Sequence, residues 1–264
     1  GTVFDTETGQ RVSNPFNKIF NIGEHDSIGT DEAVAAFDGF HNEFDKVNGH
    51  FAQLFNYKGE WIVTTKGSFI HEFLNTDKEV LRSFIDHLET KGVSEKFTFL
   101  FEMITKEDQH NFYQVALDKY APDTGLENIA VLIGVRYNES RVNDGVLQAS
   151  RTTIPEDIVG VYPVKRLDLS DNYNDWYQHS GTEGYVVETG VNGLMFKVKT
   201  EEHIRLRYQR SMGNGKYFKE LFTKHGEDYE SACLELPEEY HKKYSNLLQL
   251  YSIESFKIEN WAQM

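Results

Sequence analysis

Apolar and polar residues alternate through several short runs of the chain with the two-residue period of half-buried strands. Phe51–Tyr57 and Glu60–Thr65 flank a Lys58-Gly59 turn and predict a hairpin that ends at Thr65-Lys66-Gly67-Ser68. Phe97–Ile104 and Ile129–Tyr137 are almost continuously apolar, one carrying Glu102 and the other Arg136, and predict buried strands. Glu183–Glu188 and Leu194–Thr200 predict a second hairpin across Thr189–Gly193. Gly1–Asp5 reads as a strand fragment running into the turn Glu7-Thr8-Gly9.

Helical spacing is rarer. Thr30–Phe37 predicts a short helix with Thr30 as N-cap and Asp31 and Glu32 in its first turn. Thr76-Asp77-Lys78-Glu79 reads as a capping box before a helix whose apolar stripe is Val80, Leu81, Phe84, Ile85 and Leu88. Tyr162–Ser180 is polar and Asp-rich and predicts a surface excursion, with Trp176 and its neighbouring tyrosines as packing residues. From Gly215 to Met264 the pattern is helical. Strands before about Thr200 and helices after it predict an α+β fold built on antiparallel sheets, with a small C-terminal helical part. There is no internal repeat.

Hydrophobic residues make up 39% of the 264, and aromatics 14%, enough for a sizeable core and too much for a disordered chain. No run approaches the ~18 apolar residues of a membrane span, and no basic, apolar signal segment opens the chain. The single cysteine, Cys233, excludes an internal disulfide framework and a cysteine-cluster metal site, so a reduced, cytoplasmic setting is expected. The net charge of −15 has the wrong sign for a broad nucleic-acid-gripping face. Lys197, Lys199, Arg205, Arg207 and Arg210 nevertheless cluster, so any nucleic-acid contact should be local and salt-sensitive.

Against this background the informative residues are charges placed where strands should be dry. Glu102 sits within Phe97–Ile104, Glu183 opens a Gly-Tyr-Val-Val run, and Lys197 and Lys199 alternate with Phe196 and Val198 on one strand face. A solvated sheet face explains one such residue, but less readily four of them together with Lys46 and Lys66. Lys46 lies in Phe44-Asp45-Lys46-Val47-Asn48-Gly49-His50-Phe51, a K-x-(D/N)-G turn opening a strand, the signature of a lysine nucleophile in covalent nucleotidyl transfer. Such chemistry asks for this set. The amine must be neutral to attack, and nearby cations and partial burial favour its neutral form. Phosphate oxygens need cationic partners, and carboxylates are needed for ribose hydroxyls and a divalent metal.

Order and spacing then resemble the ATP-dependent RNA ligases of the phage tRNA-repair type, the RNA ligase 1 family within the covalent nucleotidyltransferase superfamily. Lys46-Val47-Asn48-Gly49 is similar to motif I, Lys66-Gly67-Ser68 to the element after the first hairpin, and Thr98–Glu102 to motif III. Val131–Tyr137 is similar to the next motif strand, Glu183-Gly184-Tyr185-Val186 to motif IV, and Phe196–Thr200 to motif V. Pro15–Asn21 resembles the upstream P-x-x-K-F-F-N element. The resemblance covers about Gly1 to Arg210. It implies a nucleotidyltransferase (ATP-grasp-like ligase) domain over residues 1–210 and a helical C-terminal segment over 211–264.

The resemblance also implies roles. Lys46 would carry AMP from ATP, Lys197 and Lys199 would hold the α-phosphate, and Lys18 a phosphate on the leaving side. Glu102 would bind the ribose, Val186 would pack on adenine, and Lys66 would contact phosphate or RNA. Glu183 would serve catalysis near Mg2+ or Mn2+, directly or through water. The implied substrate is RNA with 5′-phosphate and 3′-hydroxyl ends, such as a nicked tRNA, with an end-healing kinase–phosphatase as a further partner.

Three departures stand beside it. Asn48 takes a place where the family commonly has Asp. The family arginine before the Gly-x-x-Phe strand would precede Gly1, so the chain is expected to be a fragment, or the arginine to come from elsewhere. The helical tail is short for the family's tRNA-reading domain, and Glu227 and Asp228 align with its acidic residues too loosely to assign. An mRNA-capping guanylyltransferase and a DNA ligase remain as rivals, although both usually carry an OB-fold where this tail reads helical. A catalytically silent RNA-end-binding module is the rival from another class. Gly213-Asn214-Gly215-Lys216 lacks the frame of a P-loop, and His41 and His50 lack metal-ligand spacing.

Overall fold

The structure is a computed structural model describing residues 1–22, 41–169, 173–189 and 193–210, with 223–225, 228 and 231 besides. The helix expected at Thr30–Phe37 lies outside the described residues, as does most of the segment from Gly215 onward. The chain divides into two compact units, Gly1–His203 and Ile204–Met264. No helix among the described residues is long and apolar enough to cross a membrane.

The first unit is built on strands, as the alternation predicts. They are β1 (Val3–Phe4), β2 (Arg11–Ser13), β3 (Phe20–Asn21), β4 (His41–Asp45), β5 (His50–Tyr57) and β6 (Glu60–Thr64), followed by β7 (Phe97–Ile104) and β8 (Ile129–Tyr137). The last four are β9 (Val161–Pro163), β10 (Arg166–Leu167), β11 (Gly184–Thr189) and β12 (Met195–Lys199). The described helices are α1 (Leu74–Thr90), α2 (Tyr113–Tyr120), α3 (Val146–Arg151), α4 (Tyr173–Trp176) and α5 (Glu201–Arg210), the last crossing into the second unit.

Among the described residues the strands form two five-stranded sheets, ordered β6-β5-β7-β8-β9 and β10-β4-β11-β12-β3, and a two-stranded ribbon β1-β2. Pairing is antiparallel except where β9 joins β8 and β3 joins β12. β7 lies between β5 and β8 and is covered on its face by α1, which accounts for its largely apolar sequence. Phe84 of α1 meets Phe99 and Phe101 edge-on, with centroids 5.5 and 5.6 Å apart, a favoured aromatic geometry at the centre of the core.

Two expectations need correction. α1 begins at Leu74, not at a Thr76 cap, because the Asp77 N–H already donates to the Phe73 carbonyl. Thr76 donates instead to Glu107 Oε2, and the Asp77 carboxylate turns into the interior, where His50 meets both its oxygens at 3.0 and 3.1 Å. Likewise Tyr162–Ser180 is not simply a surface excursion. It holds β10, paired with β4, and α4, whose Trp176 is fully buried edge-on to Tyr185. Trp176, with Leu167, Leu169 and Tyr177 packed around its cluster, anchors an otherwise Asp-rich segment.

Candidate active site

The turn Lys46–Gly49 links β4, in one five-stranded sheet, to β5, in the other. Each side of the turn is tied to a different sheet. The Lys46 N–H donates to the Gly184 carbonyl at 3.0 Å, and the Gly49 N–H donates to Glu102 Oε1 at 3.0 Å. Both glycines are needed for close approach. A Cβ on Gly49 would lie 2.1 Å from the Met103 carbonyl oxygen, and one on Gly184 would lie 1.9 Å from that of Val198. Gly184 also has φ +148°, a backbone region that glycine reaches most easily. Thr200 N–H donates to the Glu183 carbonyl, holding the start of β11 against the end of β12.

This framework brings Lys46 Nζ to 2.6 Å from Glu183 Oε1. Lys199 Nζ stands 3.5 Å and His203 Nε2 3.6 Å from the same oxygen, so three side-chain nitrogens converge on one atom. Burial pushes the Glu183 carboxyl up, but the charge and hydrogen bond of Lys46, with His203 and Lys199, outweigh it and hold the group below its ordinary value. Glu102 goes the other way. Burial, aided by the charge of Glu183, raises its carboxyl to about 7 against the opposing pull of Lys46, the Gly49 N–H and His50.

A cleft of about 600 Å3 opens over the turn. Lys46, Glu102, Lys18, Lys66, Val186 and Lys197 all line it, so six side chains singled out in the sequence share one cavity. Val186 and Lys197 are register partners on β11 and β12, which sets them side by side. Glu183 meets Lys46 directly, and Lys199 approaches the same Glu183 oxygen. Phe16, Phe51, Ile133 and Met195 add an apolar wall suited to a flat base. Lys18 also lies 5.0 Å from the Phe20 ring centroid.

Sequence reasoning passed over Asp45, which also lines the cleft. It is buried and accepts from Tyr120 Oη at 2.9 Å, with Lys119 Nζ at 2.8 Å. Its place beside Lys46 was the only signal, and it reads there as an ordinary strand end. His203 was missed too, because nothing in Glu201-Glu202-His203 marks one residue of a helix start as facing inward. Among the described residues no group of three or more His, Cys, Asp or Glu could hold a metal ion. An ion held through the single carboxylate of Glu183 would have to take most of its ligands from substrate oxygens and water, as Mg2+ commonly does.

No family model matches the sequence, and no curated protein matches it. Solved structures do. An archaeal ATP-dependent RNA ligase is 14% identical, with a TM-score of 0.51 over 90% of this chain and 63% of its own. A Naegleria gruberi RNA ligase with PPi is 11% identical, with a TM-score of 0.52 over 75% and 59%. A mutant of the Naegleria gruberi enzyme with AMP and Mn is 11% identical, with a TM-score of 0.53 over 78% and 60%. The chain adopts the nucleotidyltransferase ligase fold. It spans less than two thirds of the length of these structures.

Proposed function

We propose that the protein is an ATP-dependent RNA ligase that works through a lysyl–AMP intermediate on Lys46. The observation that carries this reading is the 2.6 Å contact of Lys46 Nζ with Glu183 Oε1, in a turn whose cleft is also lined by Lys197 and Glu102. Lys46 Nζ attacks the α-phosphorus of ATP. A P–N bond forms, the bond to the β-phosphate oxygen breaks, pyrophosphate leaves, and the nitrogen gives up a proton. A 5′-phosphate oxygen of RNA then attacks that phosphorus and displaces the lysine, which takes back a proton. The 3′-hydroxyl of the other end attacks the activated 5′-phosphorus and expels AMP.

The chain's own part is positioning and charge. Glu183 orients the Lys46 amine, Lys197 and Lys199 balance phosphate charge, and Lys18 meets the departing side. Glu102 holds the ribose, Val186 flanks the base, and Lys66 reaches phosphate or RNA at the rim. Mg2+ or Mn2+ at Glu183 would supply Lewis-acid neutralisation of phosphate charge. Structures similar in fold are described with ATP or AMP and Mn, which supports this choice of ligands.

We place the chain nearest the phage RNA ligase 1 type, on the strength of its ordered motifs, with a nicked tRNA prepared by a kinase–phosphatase as the intended substrate. Two assays test the reading. Labelled ATP, and not GTP, should mark the protein in the presence of a divalent ion, and a nicked tRNA anticodon loop should be sealed in preference to a linear 5′-phosphate RNA. Label from GTP would transfer the case to a capping enzyme. Binding of RNA ends without any label would leave a silent end-binding module.

A further inference from the structure

Arg136, the charged residue of the otherwise apolar β8, has no part in the chemistry proposed above. Its side chain is fully buried. Asp144 Oδ1 stands 3.7 Å from Nε, too far for a hydrogen bond, and Nε meets no acceptor among the described residues. A buried charge so loosely paired is costly, and an apolar side chain of similar volume would pack here at less cost. Its use must lie in the hydrogen bonds it does make.

Those bonds run toward the cleft. Arg136 Nη1 donates to Asn143 Oδ1 at 3.0 Å and Nη2 to the Val142 carbonyl at 2.8 Å. The two arms of one planar fork thus hold two successive residues of the loop after β8. The same Asn143 oxygen accepts the Asn17 N–H at 2.7 Å. A backbone N–H and a guanidinium can only donate, so the carboxamide oxygen must face them. Asn17 Nδ2 also donates to the Arg141 carbonyl at 3.3 Å. Residues 14–19 form neither helix nor strand, so such ties take the place of a sheet ladder in fixing where Lys18 enters the cleft. On the other side of Asn17, the Phe16 ring that walls the cleft has its centroid 5.6 Å from the Arg136 guanidinium carbon.

We infer that Arg136 and Asn143 are positioning residues for the proposed AMP transfer: the guanidinium fixes the Asn143 carboxamide, which fixes the Asn17 backbone and so holds Lys18 where the leaving phosphates of ATP pass. The inference rests on the reading of the cleft as an ATP site. Neither residue lines the cleft, so both act through Lys18. Their effect therefore falls on the β- and γ-phosphates and spares the AMP part of the nucleotide.

Calorimetric titration in Mg2+ with AMP and with α,β-methylene ATP, which cannot release pyrophosphate, reads this without turnover. Asn143→Ala removes the shared acceptor. It should weaken the ATP analogue about tenfold or more and change AMP affinity by less than about threefold. Asn143→Asp keeps an acceptor for both donors and should stay within about threefold of wild type for both ligands. Arg136→Lys keeps the charge but cannot hold Asn143 and Val142 together, and should match Asn143→Ala. If Arg136→Lys does not fold, the two Asn143 variants decide. In a Lys18→Ala background Asn143→Ala should cost nothing further. Equal losses for the two nucleotides, as a merely structural residue gives, would overturn the inference. So would no loss for either, no rescue by Asn143→Asp, losses additive with Lys18→Ala, or a wild-type protein that binds the analogue no more tightly than AMP. A selective loss in a protein that takes no label from ATP counts against the ligase reading alone. Label without a selective loss counts against the inference alone.

Discussion

Lys46 Nζ and Glu183 Oε1 stand 2.6 Å apart although one ends a strand and the other begins one far along the chain. The Lys46 N–H bond to Gly184 makes the contact a property of the backbone, with the side chains following. Replacing Glu183 by Gln keeps the volume and removes the charge that orients the amine. Adduct formation from ATP should then fall by about 10²–10³, the cost of a lost electrostatic partner in a preorganised site. Quench-flow or gel assays of label on the protein check it.

The two lysines of β12 should be separately essential. Lys197 lines the cleft, and Lys199 shares the Glu183 oxygen with Lys46. Lys197→Ala and Lys199→Ala should each reduce adduct formation to near background, a loss of about 3–4 kcal/mol of transition-state stabilisation. Wild-type yield in either would mean that the lysine has no part in the phosphate site.

The glycines around the turn make a stability prediction. Gly184→Ala puts a methyl 1.9 Å from a carbonyl oxygen at a φ of +148°, and Gly49→Ala puts one at 2.1 Å. Each should destabilise by about 3 kcal/mol or more, read as a fall in denaturation midpoint. Gly67→Ala, with nothing within 4 Å of its added Cβ, should stay within about 0.5 kcal/mol.

Much of this site was legible from alternation alone. Phe97–Ile104 and Ile129–Tyr137 form strands with the expected ends, and Lys197 and Lys199 fall on one face because a strand has period two. What local pattern could not carry was pairing. β10 is two residues long and exists because β4 offers it an edge, and α4 is held by Trp176 inside an Asp-rich segment. The Thr76 capping box failed for the same reason, since the helix already starts at Leu74 and Thr76 Oγ1 donates to the distant Glu107. Asp45 and His203 have contacts fixed by residues distant in sequence, and no spacing rule reaches them.

Glu102 predicts a pH dependence. Its carboxyl is raised from 4.5 to about 7 in the fold. A raised group binds its proton more tightly when folded, so its stabilising share is complete below pH 4.5 and is lost as pH rises through 7. Glu102→Gln removes that loss. The variant should gain on wild type between pH 5 and 8, by up to about 3 kcal/mol, in parallel urea titrations. A constant difference across that range would contradict the burial argument.

His50 works in the same sense. Burial opposes its charge, but the hydrogen bond and charge of Asp77, with Asp108 and Glu102, hold it above its ordinary value of 6.5. Its contribution is present below pH 6.5 and fades as pH rises past the folded value. His50→Gln should therefore lose stability at pH 6 and lose less at pH 9, measured by the same titrations.

The central claim is that Lys46 becomes covalently bonded to AMP. Incubation of the protein with ATP and Mg2+ or Mn2+, followed by proteolysis and mass spectrometry, tests it directly. One AMP should be found on the peptide that contains Lys46, in an acid-labile, base-stable linkage, and none on Lys46→Ala protein. AMP on another lysine, or its absence from the wild-type protein at full recovery of that peptide, would contradict the account.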